Sequence, residues 1–202
     1  MIETNKTSEN EMKPKIIVIN GYPQSGKDTF CEFAHERYRC VTYSTVDTVK
    51  ELATDMGWDG TKTPENRAML SALKDFTTEW FDMTYHEMIN LINYEIESNK
   101  DYETDPKNTT KFIFLHIREP KDIKRMLEWC TERVIRCYLL CIERDEIKDQ
   151  DQSNHADKNI DFISYDDYIS NNGTLEEFKE QTFNYLAFLE ADIPSCQEEE
   201  MI

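Results

Sequence analysis

The chain has 202 residues with 23 Lys and Arg against 41 Asp and Glu, a formal net charge of −18. That length suits one α/β core burying about 70% of the unfolded surface. So large a field of one sign excludes a nucleic-acid polymer as the main partner, because phosphate backbones are held by basic stripes. A small phosphorylated ligand must instead meet a local cluster of Lys and Arg.

No apolar run is long enough to span a bilayer, and Met1 to Lys6 carry no apolar segment of a secretory signal. The expectation is a cytoplasmic protein without a membrane partner, as a monomer or a homodimer. Six cysteines, Cys31, Cys40, Cys130, Cys137, Cys141 and Cys196, form no Cys-x-x-Cys pair. They read as reduced thiols in the core rather than as a disulfide frame or zinc site.

Residues 1–13 are polar and aperiodic and read as a disordered lead-in to a domain over 14–190. The run Ile16-Ile17-Val18-Ile19 predicts a buried strand over about 15–20, and a helix follows over about 26–38. Cys40 to Ser44 is a short extended piece. Thr45 to Ala53 is a second helix that Gly57 ends. Asp59-Gly60 is turn chemistry, and Pro64 takes the first position of a helix capped by Thr63.

Met69, Leu73, Phe76 and Trp80 then recur at helical spacing, which predicts a core-facing stripe, with Ile89, Ile92 and Ile96 continuing it after a break near Thr84. Trp80 is the member of that stripe able to stack on a base instead. The helical region over about 45–100 is the expected acceptor-binding side. Residues 98–110 read as a polar loop.

Lys111 to Ile117 is an unbroken apolar strand of the kind buried in a parallel sheet. Arg118-Glu119-Pro120 opens a helix with Ile123, Met126, Leu127 and Cys130 inward, and Val134 to Ile142 is a further strand. Residues 145–161, acidic and rich in Asn and Gln, read as a lid-like loop. Tyr165 to Ile169 is a last strand, Asn171-Asn172-Gly173 a turn, and Thr174 with Glu177 a capping box opening a helix to about Leu189. Residues 191–202 are an acidic tail. Strands alternating with helices predict an α/β fold of three layers, a parallel sheet of about five strands with helices on both faces.

Between the first strand and the first helix lies Gly21-Tyr22-Pro23-Gln24-Ser25-Gly26-Lys27-Asp28-Thr29. Four residues separate the glycines and Lys27 follows the second. On its own such a match is compatible with a mere tight turn. Set between a buried strand and a helix, it predicts a loop whose amides, from Gly21 through Gln24, Ser25 and Gly26, wrap a polyphosphate at the positive end of the helix, with Lys27 on the terminal groups. Asp28 stands where the commonest form of the motif has a Ser or Thr for Mg²⁺, and the hydroxyl comes one place later, at Thr29. A carboxylate binds Mg²⁺ directly or through water, which makes Asp28 the candidate metal ligand.

Ligands in parallel sheets sit beyond the carboxyl ends of the strands. Lys27, Arg118 and Arg144 each follow a predicted strand there. Phosphoryl transfer needs chiefly positioning and positive charge on the migrating group, so these three are the catalytic candidates.

The loop, with its Ser-Gly-Lys-Asp core, resembles that of bacteriophage-type deoxynucleoside monophosphate kinases and the related animal phosphomevalonate kinases. The blocks Ser44 to Glu51, Gly57 to Gly60, Leu115 to Pro120 and Tyr165 to Glu177 extend the likeness over about residues 14–190. The resemblance implies a P-loop kinase fold, ATP with Mg²⁺ as donor, and a small phosphomonoester as acceptor. It implies that Lys27 and the loop hold the β and γ phosphates, that Arg118 grips the acceptor phosphate or the migrating group, and that Arg144 arrives from the lid. Asp47, Lys50 and Arg67 are the further acceptor-side candidates.

Two departures stand out. The strand ending at His116 carries no Asp where many such enzymes place a metal-organising carboxylate, so His116, Glu119 or Asp28 takes that part. The 145–161 segment offers only Lys148 and Lys158 as cations. The acceptor expected first is a nucleoside or deoxynucleoside monophosphate. Another phosphorylated metabolite, of the phosphomevalonate or dephospho-CoA type, is the rival acceptor, and a non-catalytic nucleotide switch is the rival outside enzymes.

Overall fold

β1 (Lys15–Asn20), β2 (Cys40–Ser44), β3 (Phe112–His116), β4 (Cys137–Glu143) and β5 (Asp167–Ser170) form one parallel sheet in the order β2-β3-β1-β4-β5. The computed structural model describes residues 13–61, 63–101, 108–148, 160 and 163–191. The expected lead-in, most of the 145–161 loop and the acidic tail lie outside them.

β1 is central because it is apolar on both faces. Ile16 lies opposite Ile113 and Cys137, and Val18 opposite Leu115 and Leu139. Alternation sends Ile17 and Ile19 to one face, under α1 (Lys27–Arg37) and α7 (Leu175–Glu190), with Phe30, Phe114, Phe178 and Leu186. Ile16 and Val18 go to the other face, under α4 (Met83–Asp101) and α5 (Pro120–Glu132), with Ile92, Ile123 and Met126. The capping box is present: the Thr174 hydroxyl accepts from the Glu177 N–H while the Glu177 carboxylate accepts from the Thr174 N–H. Lys15 Nζ closes the far end of α7 on the Leu189 carbonyl.

Of the expected core stripe, only the second half is core. α2 (Asp47–Asp55) and α3 (Pro64–Phe81) stand off the sheet, and Thr77 is the one buried residue of α3. Met69, Phe76 and Trp80 are exposed, Trp80 by 69%, whereas Ile92 on α4 is fully buried. The break between the two helices falls at Asp82, whose φ of 47° reverses the chain two residues earlier than expected. Arg125 grips the Asp82 carboxylate with both terminal nitrogens and lies 3.8 Å over the Tyr85 ring, so the turn is pinned to α5. The polar segment from residue 98 begins as helix: α4 runs to Asp101, and Asn99 exchanges two hydrogen bonds with the backbone of Thr110. A short helix, α6 (Asp145–Lys148), follows β4.

Candidate phosphate-binding site

The loop between β1 and α1 is shaped by its glycines. Gly21 and Gly26 have φ of 133° and 107°, backbone that side chains avoid. A Cβ on Gly21 would run into the Ile142 carbonyl on β4, and one on Gly26 into the Asn171 amide after β5. Asn171 completes the frame by donating Nδ2 to the Ser25 carbonyl at 2.8 Å. No side chain caps the start of α1, so its first N–H groups open toward the loop.

Lys27 is 8% exposed. Its Nζ donates to the Gly21 and Tyr22 carbonyls, each at 2.7 Å, which folds the charge back into the bowl of the loop. This is the arrangement expected of a phosphate cradle: a fixed cation and a ring of backbone donors with a helix terminus behind them.

Two clefts meet at Gln24, Lys27 and Asp28. The smaller, about 400 Å³, continues past Gly26 and Thr29 to Arg144, Asn171, Gly173 and Leu175. The larger, about 910 Å³, continues under α2 and α3 to Asn20, Asp47, Lys50, Arg67, His116 and Arg118. The three catalytic candidates are therefore divided: Arg118 borders the larger cleft, Arg144 the smaller, and Lys27 both. Arg144 is ion-paired with Glu146 at 2.7 Å. Asp47 accepts the Ser44 N–H through Oδ2 and pairs with Lys50 through Oδ1, both at 3.0 Å, so it shapes the entry to α2 as well as the cleft wall. Ser25 is buried beneath the loop and borders neither cleft.

His116 ends β3 on the wall of the larger cleft. Burial holds its imidazole below the ordinary value; Asp28 and Asp47 partly oppose this, while Lys27 and Arg118 add to it. Its Nε2 lies 3.7 Å from the Cys31 thiol, which burial pushes up to about 12. The pair is thus neutral near pH 7.

Among the described residues no three His, Cys, Asp or Glu side chains cluster as a metal cage. Mg²⁺ seldom needs one, since it takes one or two carboxylates together with substrate phosphates and water. Asp28, facing both clefts with the Thr29 hydroxyl beside it in the smaller, fits that role.

Several residues of the site were not singled out in the sequence: Asn20, Lys74 and Asp75 in the larger cleft, and Asn171, Gly173 and Leu175 in the smaller. For Asn20 and Asn171 a signal existed. Asn20 is the last residue of β1 and Asn171 the first past β5, both at the carboxyl end of the sheet, the same placement that picks out Arg118 and Arg144. Lys74 and Asp75 had none, being ordinary helix charges until α3 is placed over the cleft.

No protein-family model matches the chain, and no curated protein matches it in sequence. The structure is similar to the tunicamycin resistance protein of Deinococcus radiodurans, at 14% identity and a TM-score of 0.51 over 86% of this chain and 95% of that one. Weaker likenesses include the APS kinase of Mycobacterium tuberculosis in complex with AMPPNP and APS, at 10% identity and a TM-score of 0.46 over 87% and 98% of the two chains. A de novo designed protein with the P-loop NTPase fold is 13% identical, with a TM-score of 0.39 over 94% and 100%. The fold is an α/β one of three layers, a five-stranded parallel sheet with helices on both faces and the glycine loop between its central strand and α1.

Proposed function

We propose that this chain is an ATP-dependent phosphotransferase whose acceptor is a small phosphomonoester, in the first place a nucleoside or deoxynucleoside monophosphate. The observation that carries the reading is the junction of two clefts at Lys27 and Asp28, one on the side of the loop and β5, the other under α2 and α3. A binding module for one nucleotide needs a single cleft. A transfer enzyme needs two that share a wall, with the cation at the shared point.

In this reading the donor's triphosphate lies along the loop amides and the start of α1, its outer part passing Arg144 and Gly173. Lys27 exchanges its two carbonyl contacts for the terminal phosphate. Mg²⁺, held by Asp28 with Thr29 near, supplies charge neutralisation on the phosphate oxygens when bound. The acceptor enters the larger cleft, where Arg67 and Lys50 offer charge to its phosphate and Arg118 to the group in flight. The protein's part is orientation and fixed positive charge, the two terms on which phosphoryl transfer chiefly depends.

The test is release of ADP from ATP and Mg²⁺ in the presence of each common ribo- and deoxyribonucleoside monophosphate, phosphomevalonate and dephospho-CoA. Acceptor-dependent release with one class is the expected result and names the substrate. Tight ATP binding with no release across the panel would overturn the kinase reading in favour of a nucleotide-binding switch.

A further inference from the structure

At the floor of the larger cleft the last residue of β1 leaves a donor without a partner. Asn20 is 0% exposed, and its Oδ1 accepts the Gly21 N–H at 3.0 Å. That bond sets the amide's orientation, since a backbone donor can be met only by the oxygen end, which leaves the two hydrogens of Nδ2 directed elsewhere. Nδ2 has no hydrogen-bond partner among the described residues, and Asn20 borders the cleft. Ile16 and Val18, which precede it on the same face of the strand, are sealed in the core. An apolar side chain would continue that pattern without cost, whereas a buried amide left half satisfied is unfavourable unless something meets it.

The surroundings define what that would be. Lys27 and Arg118 border the same cleft. An N–H donor cannot ligate a cation, so Nδ2 does not serve Mg²⁺; a donor in a cleft whose five Lys and Arg outnumber its four Asp and Glu selects an anionic oxygen.

We propose that Asn20 is a substrate-contacting residue whose Nδ2 donates to a phosphoryl oxygen of the acceptor phosphomonoester. The inference rests on the phosphotransferase reading and sharpens it, because it sets the depth at which the acceptor's phosphate is seated: level with the end of β1, beside Lys27. The donor's terminal phosphate presents the same chemistry. Asn20 borders the cleft of Arg67 and Arg118 rather than that of Arg144 and Gly173, which favours the acceptor.

Two variants of the full chain test this by calorimetric titration with a nucleoside monophosphate panel and with a non-hydrolysable ATP analogue. Asn20→Leu keeps the side chain's bulk and removes the donor without adding charge. Asn20→Asp keeps an oxygen for the Gly21 N–H and replaces the donor with a negative oxygen. Asn20→Leu should weaken the phosphomonoester by at least about tenfold and the ATP analogue by less than about threefold. Asn20→Asp should weaken the phosphomonoester more than it weakens the analogue.

Loss confined to the ATP analogue would overturn the assignment to the acceptor. Wild-type affinities in both variants, or loss of both ligands in Asn20→Leu with none in Asn20→Asp, would overturn the inference and leave the phosphotransferase reading standing. A wild-type chain that binds the analogue but no phosphomonoester would overturn that reading and the inference with it. Thermal unfolding checks each variant's fold, and if Asn20→Leu does not fold, the ratio of the two losses in Asn20→Asp decides.

Discussion

The loop at 21–29 and helix α3 face each other across the larger cleft, and they are held in opposite ways. The loop is polar, yet it is sunk in the protein: Ser25 and Lys27 are buried, Lys27 is bonded to loop carbonyls, and Asn171 locks the Ser25 carbonyl from the far side of the sheet. α3 carries an apolar stripe, yet the stripe lies in solvent, with the Phe76 ring 6.4 Å from that of Trp80 and 6.1 Å from that of Phe81 between centroids. Composition therefore predicts neither location. The loop's shape is written locally, in Gly21 and Gly26 at φ values that other residues rarely adopt, whereas α3's surroundings depend on where the turn at Asp82 sends the helix.

The largest effect expected is at the loop. Lys27→Ala should abolish turnover while leaving the far-ultraviolet spectrum and unfolding cooperativity unchanged, because Lys27 contributes charge to the cradle and little apolar packing. An active, folded Lys27→Ala protein would remove the loop from the chemistry altogether.

On the helical side the same comparison turns on burial. Ile92→Ala on α4 should cost about 2–5 kcal/mol of stability, the usual toll of a cavity at a fully buried aliphatic site, read as a lower denaturant midpoint at constant slope. Arg118→Ala should cost at least about tenfold in kcat/KM, or about 1.4 kcal/mol of barrier, with stability unchanged. Wild-type kinetics in that variant would demote Arg118 to a wall residue and leave the migrating group to Lys27 alone.

This division marks how far the sequence could be read. The parallel sheet, its apolar centre at residues 16–19 and 112–115, the loop at 21–29 and the capping box at 174–177 all follow from local pattern, because a strand run, a glycine pair and a cap act over a few residues. Three things are not local. The strand order that puts β5 and its Asn171 against the loop is a matter of topology. So is the separation of Arg118 from Arg144 into different clefts, since both merely follow strands in the chain. The third is the solvent-facing stripe of α3: Met69, Phe76 and Trp80 show helical period as cleanly as Ile89, Ile92 and Ile96, and period reports that a helix has two faces, not what covers either.

The smallest effect is then the sharpest test of that last distinction. Trp80→Ala and Phe76→Ala should each leave unfolding within about 0.5 kcal/mol of wild type, because the rings meet solvent and each other rather than a core. Neither residue borders the cleft, so acceptor kinetics should not move either. A loss near that of Ile92→Ala would mean that the stripe is covered in solution. Where that cover is a second copy of the chain, the denaturation midpoint of the wild type would rise with protein concentration, as it does when association and folding are linked. A midpoint independent of concentration, together with near-neutral ring truncations, would establish α3 as an arm held by its polar cleft face and its pinned turn, with its apolar stripe contributing nothing to the fold.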